Sequence, residues 1–75
     1  MIENKYDASE ILDTVYKAIL EKGYDPIRQI AGYILSEDPT YIPDHIGARG
    51  MIRHISSDEL LKLFIESYFE QKNNK

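Results

Sequence analysis

The sequence predicts an all-α fold, a compact single-domain bundle of four main helices plus a short turn. Apolar residues recur every three or four positions in four segments, and no segment shows the alternation typical of a strand. The chain has 75 residues, 43% of them hydrophobic, with no internal repeat, linker or low-complexity stretch. This length and composition are typical of one folded domain. We therefore expect a single domain over residues 1–75, with frayed ends at 1–7 and 71–75.

The first helix is expected over about residues 9–22. Asp7 or Ser9 can cap its N-terminus, and Asp7 followed by Glu10 has the spacing of a capping box. Gly23 supplies the left-handed residue that commonly ends a helix. The apolar stripe comprises Ile11, Val15 and Ile19, widened by Leu12 and Ala18.

The second helix is expected to open at Asp25-Pro26, because Asp accepts backbone N–H groups at an N-cap and Pro at the first position loses no donor. Gly32 lies mid-helix, which costs about 1 kcal/mol relative to Ala. Such a glycine often permits close approach of another helix. Asp38-Pro39 repeats the cap pattern and predicts a short turn. The apolar stripe comprises Ile27, Ile30, Ala31, Ile34 and Leu35.

The third and fourth helices differ in how strongly the sequence predicts them. The third is expected over residues 44–54, where Gly47 and Gly50 lower its intrinsic stability, so tertiary contacts must hold it. The fourth begins at Ser56, and Glu59 completes a capping box. We expect the fourth helix to carry the strongest amphipathic stripe in the chain. The inner face of the third helix is Ala48, Met51, Ile52 and Ile55, and the stripe of the fourth is Leu60, Leu61, Phe64, Ile65, Tyr68 and Phe69.

Charge and composition restrict the partners. The net charge is −4, which disfavours duplex nucleic acid as the main partner, because the phosphate backbone requires a basic face. No signal peptide opens the chain and no apolar run is long enough to span a membrane, so we expect a cytoplasmic protein.

The composition also favours association of the chain with itself. There is no cysteine, so no disulfide can stabilise so small a domain. The chain has six tyrosines, and the tyrosine side chain, an apolar ring with a polar hydroxyl, is common at partly solvated protein interfaces. We therefore expect a homodimer formed through apolar and tyrosine-bearing helix faces.

The side chains that could carry catalysis are not arranged for it. His45 and His54 are nine positions apart, which does not fit the i, i+3 or i+4 pairs of helical metal ligands. The carboxylates fall on polar faces, and the chain has no glycine-rich phosphate loop or nucleophile motif. We expect no enzymatic activity, no cofactor and no metal, and hence a protein that acts by binding other proteins.

One group of residues predicts a partner-binding surface. Tyr41, His45, Arg49 and Arg53 cluster in the turn and the third helix, and the last three are spaced i, i+4, i+8 on one face. Guanidinium groups pair bidentately with carboxylate and phosphate, so this face suits an acidic or phosphorylated partner segment. The alternative is that the two arginines pair with the protein's own Asp and Glu side chains. Spacing alone does not decide between the two.

A further alternative is a helix-turn-helix nucleic-acid binder, with the third helix as the reader. The connection over residues 36–43 is longer than the usual three or four residues. The local charge is also weak for this role, because Arg49 and Arg53 stand beside Asp44.

A long ordered set of short motifs runs through the chain. It comprises Glu21-Lys22-Gly23-Tyr24, Asp25-Pro26, Gln29-Ile30, Gly32-Tyr33-Ile34-Leu35-Ser36, Asp38-Pro39-Thr40-Tyr41-Ile42-Pro43, His45, Ala48-Arg49 and Ile52-Arg53. Together these motifs resemble the IreB/ReoM family of small Firmicute regulatory phosphoproteins, over roughly residues 10–70.

The resemblance implies an all-helical homodimer without enzymatic activity, which is a substrate of the membrane PASTA-domain Ser/Thr kinase and its partner phosphatase. The family acts in the control of cell-wall synthesis and cephalosporin resistance. In the ReoM branch the unphosphorylated protein promotes degradation of MurA, the first committed enzyme of peptidoglycan synthesis, by the ClpCP protease. Phosphorylation relieves that action. His45, Arg49 and Arg53 match positions that the family uses for regulation.

Two positions depart from the family pattern. Family members carry their phosphoacceptor threonine in an N-terminal extension, whereas the first threonine here is Thr14, within the first predicted helix. The resemblance therefore assigns no phosphorylated residue in this chain. The position before His45 is usually basic or small and polar in the family, and here it is Asp44, which inverts a charge on the expected binding face relative to the members that have a basic residue there.

Overall fold

The computed structural model describes residues 7–73, which form four α-helices and one 3₁₀ turn. In chain order these are α1 (Ala8–Glu21), α2 (Pro26–Ser36), the 3₁₀ turn (Pro39–Tyr41), α3 (Ala48–Ile52) and α4 (Ser57–Asn73). None of the described residues lies in a strand. The predicted all-α fold of four helices and a short turn is confirmed. α4 continues through residues 71–73, which were expected to fray, while residues 1–6, 74 and 75 lie outside the described part of the chain.

Side-chain caps explain where three of the helices begin. The Asp7 carboxylate accepts from the Ser9 N–H at 3.1 Å, that of Asp25 from the Ile27 N–H at 3.1 Å, and Ser56 Oγ from the Glu59 N–H at 3.1 Å. Each bond satisfies an N–H group that the first turn of a helix leaves without a partner. After α1, Gly23 has a φ of +85°, so the left-handed stop predicted there is confirmed.

The core lies where α1 packs against α3, with α4 and the chain before α3 completing it. The predicted inner faces of α1 and α3 are both confirmed, because their apolar residues become buried or half-buried. Burying one large aliphatic side chain contributes about 1.5–3 kcal/mol, so this cluster dominates the stability of the fold. The buried residues of this core cluster are Ile11, Val15, Ala18, Ile19, Tyr33, Ile42, Ala48, Ile52, Ile55 and Leu60.

α3 spans only Ala48–Ile52, so the prediction of a helix over residues 44–54 is wrong at both ends. The two residues before it are left-handed, with φ of +46° at Ile46 and +76° at Gly47. A right-handed helix cannot continue through them, and the left-handed conformation costs a residue with a Cβ about 1–2 kcal/mol. A helix this short is a poor reader of a DNA groove, and the helix-turn-helix alternative loses its structural support.

The apolar stripes of α2 and α4 are largely exposed. On α2, Ile27 is 73% and Leu35 is 86% exposed, while Tyr33, outside the predicted stripe, is buried. On α4, Leu60 alone among the described side chains is buried. The expectation that α4 is the most amphipathic helix is wrong, because α1 and α2 both separate apolar from polar residues better. The run over residues 60–65 places apolar side chains around more than one face of α4.

Candidate partner-binding site

The chain between α2 and α3 is held at two backbone carbonyl groups by side chains from both helices. Gln29 Nε2, on α2, donates to the Tyr41 carbonyl oxygen at 2.9 Å. Arg49 Nε, on α3, donates to the Ile42 carbonyl oxygen at 2.8 Å. The Ile42 side chain is fully buried in the core. We call residues 41–47 the presented loop. The two hydrogen bonds hold its backbone in place and so give its exposed side chains a defined arrangement.

Tyr41 packs its ring on the backbone of α2 at Gly32. A Cβ on Gly32 would lie 2.5 Å from Tyr41 Cε1 and 2.7 Å from Cδ1, closer than real Cβ atoms approach their neighbours. A glycine within a helix often permits the close approach of another helix, and here Gly32 permits that of an aromatic ring from the 3₁₀ turn. Tyr41 remains 39% exposed, so part of this fixed ring is accessible to a partner.

Asp38 caps the 3₁₀ turn that carries Tyr41. Its Oδ1 accepts from the Thr40 N–H at 3.0 Å and from Thr40 Oγ1 at 2.8 Å. The side-chain bond first, and then the backbone bond, lower the pKa of Asp38, because both favour the ionised carboxylate. The cap therefore stabilises the folded state above the pKa that Asp38 has in the unfolded chain. That contribution is lost as the pH falls through the lower folded-state pKa.

Thr40→Val is expected to raise the pKa of Asp38 toward its ordinary value, because valine removes the hydroxyl donor and keeps the backbone amide. Thr40→Ser keeps a hydroxyl and serves as the matched control. Carboxyl ¹³C chemical shifts followed against pH measure the titration of Asp38 in each variant. If Asp38 titrates at the same pH in Thr40→Val and in the unsubstituted protein, the hydroxyl is not the main cause of the shift.

His45 connects the presented loop to the end of α1. Its Nε2 lies 2.8 Å from Glu21 Oε1, with the two side chains 31% and 46% exposed. An exposed pair of this kind contributes about 0–1 kcal/mol. Because His45 lies in the turn before α3 and not on a helix, its predicted i, i+4 relation to Arg49 on one helical face does not exist.

Arg49 is partly buried, and its Nε is committed to the presented loop. Its charge also contributes, as a lesser cause, to the lowered pKa of Asp38. Within residues 7–73 it forms no ion pair, so none of the described carboxylates supports the alternative of internal pairing for it. Only its terminal guanidinium nitrogens are left for a partner.

Arg53 is exposed, follows directly after α3, and likewise forms no ion pair with another described residue. It lines a cleft whose wall on α2 is Tyr33. Burial, followed by the charge of Glu37, raises the pKa of Tyr33, while Arg53 lowers it by a smaller amount. The Tyr33 hydroxyl is therefore protonated at neutral pH and is a hydrogen-bond donor. Sequence reasoning missed Tyr33, although its position three residues after Ile30 is compatible with the inner side of α2.

A second surface is apolar and lies between α1, α2 and α4. It forms a groove of about 560 Å³ in which the single charged lining residue is Asp13. The other lining residues are Leu12, Tyr16, Ile27, Ile30, Ala31, Ile34, Leu35, Leu61 and Phe64. Exposed apolar patches of this kind mark interaction sites in soluble proteins.

Within residues 7–73 no three His, Cys, Asp or Glu side chains converge on a position that could hold a metal ion. The histidines at 45 and 54 therefore join no ligand cluster there. None of the described helices has the length and apolar character needed to cross a bilayer.

Two relatives match this chain over almost its whole length. A UPF0297 protein of Acetivibrio thermocellus is 54% identical over 69 residues, which cover 92% of this chain and 77% of the relative. A UPF0297 protein of Ruminiclostridium cellulolyticum is 48% identical over 73 residues, covering 97% of this chain and 83% of the relative. The family profile described as IreB regulatory phosphoprotein matches residues 2–70. The resemblance drawn from the motifs is confirmed, and the chain belongs to the IreB family of regulatory phosphoproteins.

Proposed function

We propose that this chain is a non-enzymatic cytoplasmic regulator of peptidoglycan synthesis and antibiotic resistance, which acts by binding client proteins. Its proposed clients are a Clp protease system and a peptidoglycan-synthesis enzyme, with turnover of MurA by ClpCP as the regulated step. The observation that carries the proposal is the presented loop. Hydrogen bonds from α2 and α3 fix its backbone, while Tyr41 and His45 remain accessible and Arg53 is exposed nearby. A rigid, solvent-facing surface binds a partner without a large ordering cost.

Arg53→Ala is expected to abolish regulation and to leave the fold intact, because Arg53 is exposed and forms no ion pair with another residue in the range 7–73. In a Firmicute host that lacks its own family member, we expect the unsubstituted chain to lower the steady-state level of MurA. The Arg53→Ala variant should fail to do so. Quantitative immunoblotting of MurA measures the difference.

Arg28→Ala is the matched control, because Arg28 is an exposed arginine on α2 that lines neither the groove nor the cleft. It should regulate normally. If Arg53→Ala also regulates normally at equal abundance, the assignment of the partner surface is wrong. Arg49→Ala is a less discriminating test, because it also removes the bond that fixes the presented loop.

We also propose that two copies associate through the apolar groove. The chain carries both a groove and exposed apolar side chains on the later turns of α4 that could fill it, namely Ile65, Tyr68 and Phe69. Two-fold association lets each copy provide both elements to the other. Sedimentation equilibrium at micromolar concentration should give twice the 8.7 kDa chain mass. A single 8.7 kDa species would rule the dimer out.

Phosphorylation of this chain by a kinase can be tested directly. We propose that a PASTA-domain Ser/Thr kinase phosphorylates this chain, and mass spectrometry after incubation with such a kinase would locate the phosphate. Thr14 is expected to stay unmodified, because its Oγ1 donates to the Glu10 carbonyl oxygen at 3.1 Å within α1. A phosphate on Thr14 would contradict this expectation.

A further inference from the structure

A polar cleft of about 350 Å³ separates the C-terminal end of α2 from the N-terminal end of α4. We propose that this cleft binds the carboxylate of an acidic side chain on a partner protein. The inference rests on the proposed regulatory function and identifies the chemistry by which its surface recognises a client. The cleft is lined by Tyr33, Glu37, Pro39, Arg53, Ile55, Ser56 and Ser57.

Tyr33 provides a donor that the fold itself does not use. The residue is 7% exposed, and its hydroxyl forms no hydrogen bond within residues 7–73. No buried side-chain oxygen or nitrogen in that range lacks a partner, so the Tyr33 oxygen must reach solvent in the cleft. A buried tyrosine usually finds a partner for its hydroxyl, and here water or a ligand that enters the cleft can serve.

Arg53 provides the charge. Its side chain lines the same cleft as Tyr33 and is without an ion pair among the described residues. Arg49, the other arginine nearby, donates its Nε to the Ile42 carbonyl oxygen and is not among the cleft residues. A guanidinium beside a neutral hydroxyl donor can bind both oxygens of a carboxylate with charge-assisted hydrogen bonds.

The N-terminal end of α4 contributes less to anion binding than Arg53 does. Ser56 Oγ already accepts from the Glu59 N–H, so the cap is internal to the helix. Ser57 also lines the cleft and is half-buried. The positive end of the helix dipole favours a nearby anion by about 0.3–1 kcal/mol, which supports the site and would not create it alone.

Glu37 offsets the positive charge of Arg53 and so limits how highly charged a bound anion can be. It lines the same cleft as Arg53 and makes no ion pair with that residue. A singly charged carboxylate meets one repulsive and one attractive charge. A phosphate, which carries nearly two negative charges at neutral pH, doubles the attraction to Arg53 and the repulsion from Glu37 alike, so it gains little net attraction to offset its larger desolvation cost. The volume of the cleft holds an acidic side chain with part of its flanking backbone, so we assign a Glu or Asp of a peptide segment.

The test is an NMR titration of the ¹⁵N-labelled full chain with three short, blocked peptides. They are identical except for a central Glu, Gln or phosphoserine. The Glu peptide should move the amide resonances of Tyr33, Ser56 and Ser57 in a saturable way, and the effect should weaken as salt is added. The Gln peptide should leave these resonances unchanged. Equal binding of the Gln peptide, or tighter binding of the phosphoserine peptide, would overturn the carboxylate assignment.

Three substitutions separate the contributions within the cleft. Arg53→Gln should abolish saturable binding of the Glu peptide, and Tyr33→Phe should weaken it without loss of the fold. Glu37→Gln should tighten binding by a factor of roughly 2 to 5, because it removes the repulsive charge. Arg28→Gln is the control and should bind as the unsubstituted chain does. Tighter binding in Glu37→Gln is the sharpest outcome, since a damaged or misfolded variant would not produce it.

Failure of the carboxylate-site assignment can be distinguished from failure of the proposed function. If no peptide binds but Arg53→Ala still abolishes regulation of MurA in cells, the regulatory surface stands and the carboxylate site is wrong. If the Glu peptide binds through Arg53 and Tyr33 but Arg53→Ala regulates MurA normally, the site stands and the proposed function is wrong.

Discussion

Gly32→Ala is expected to destabilise the protein, although alanine is the better helix former. Helix propensity alone would favour alanine by about 1 kcal/mol. The new Cβ would lie 2.5–2.9 Å from three ring atoms of Tyr41, so the ring must leave its place on α2. Overpacking of this kind costs about 1–3 kcal/mol, and we expect a net destabilisation of about 0–2 kcal/mol. The presented loop should also lose the regulatory activity proposed for it, even where most of the protein stays folded.

Gly50→Ala is the matched control for this prediction. Gly50 is also helical, and a Cβ added there has no atom within 4 Å. It should stabilise the protein by up to about 1 kcal/mol through helix propensity. Urea denaturation of both variants measures the two changes with opposite expected signs. A Gly32→Ala variant as stable as Gly50→Ala would mean that the packing of Tyr41 on α2 is not tight in solution.

Leu35→Glu is expected to dissociate the proposed dimer while each chain remains folded. Leu35 lines the groove and is 86% exposed in the single chain, so its substitution removes no contact of the monomer core. In a dimer formed through the groove, glutamate would place an unpaired charge in an apolar interface. Leaving a charge buried without a partner costs about 3–5 kcal/mol, which corresponds to a loss of affinity of about two to four orders of magnitude.

Ile46→Glu is the control for the dimer. Ile46 is 48% exposed and lies outside the groove lining, so the same change in chemistry should leave the mass of the complex unaffected. Sedimentation of both variants, with circular dichroism to check helix content, measures association separately from folding. A Leu35→Glu protein that remains dimeric at micromolar concentration would place the interface elsewhere.

The two surfaces suit different tasks because their chemistry differs. The groove is apolar apart from Asp13, as expected of a permanent contact between identical chains. The presented loop and the cleft carry polar and charged groups, including His45, Arg53 and the Tyr33 hydroxyl. Polar surfaces of this kind give specificity and fast association. A dimer would therefore leave one such polar surface on each chain available for a client.

Most of the local structure could be predicted from the sequence, because it depends on neighbours in the chain. Caps at Asp7, Asp25 and Ser56 accept N–H groups two or three residues away. The stop at Gly23 depends on its own φ. The apolar stripe of α1 follows from helical periodicity, and the family follows from ordered motifs. Each of these features is encoded within a few positions.

What the sequence determined by itself was the helical class, the caps, the core face of α1 and membership of the IreB family. Only the tertiary structure decided that α3 is five residues long, that Gly32 faces the ring of Tyr41, and that Arg49 holds a loop carbonyl group. These depend on contacts between residues that are distant in the chain or on backbone angles that no periodicity encodes. For the same reason Tyr33 and Arg53, twenty positions apart in the sequence, line one cleft that no spacing rule could have predicted.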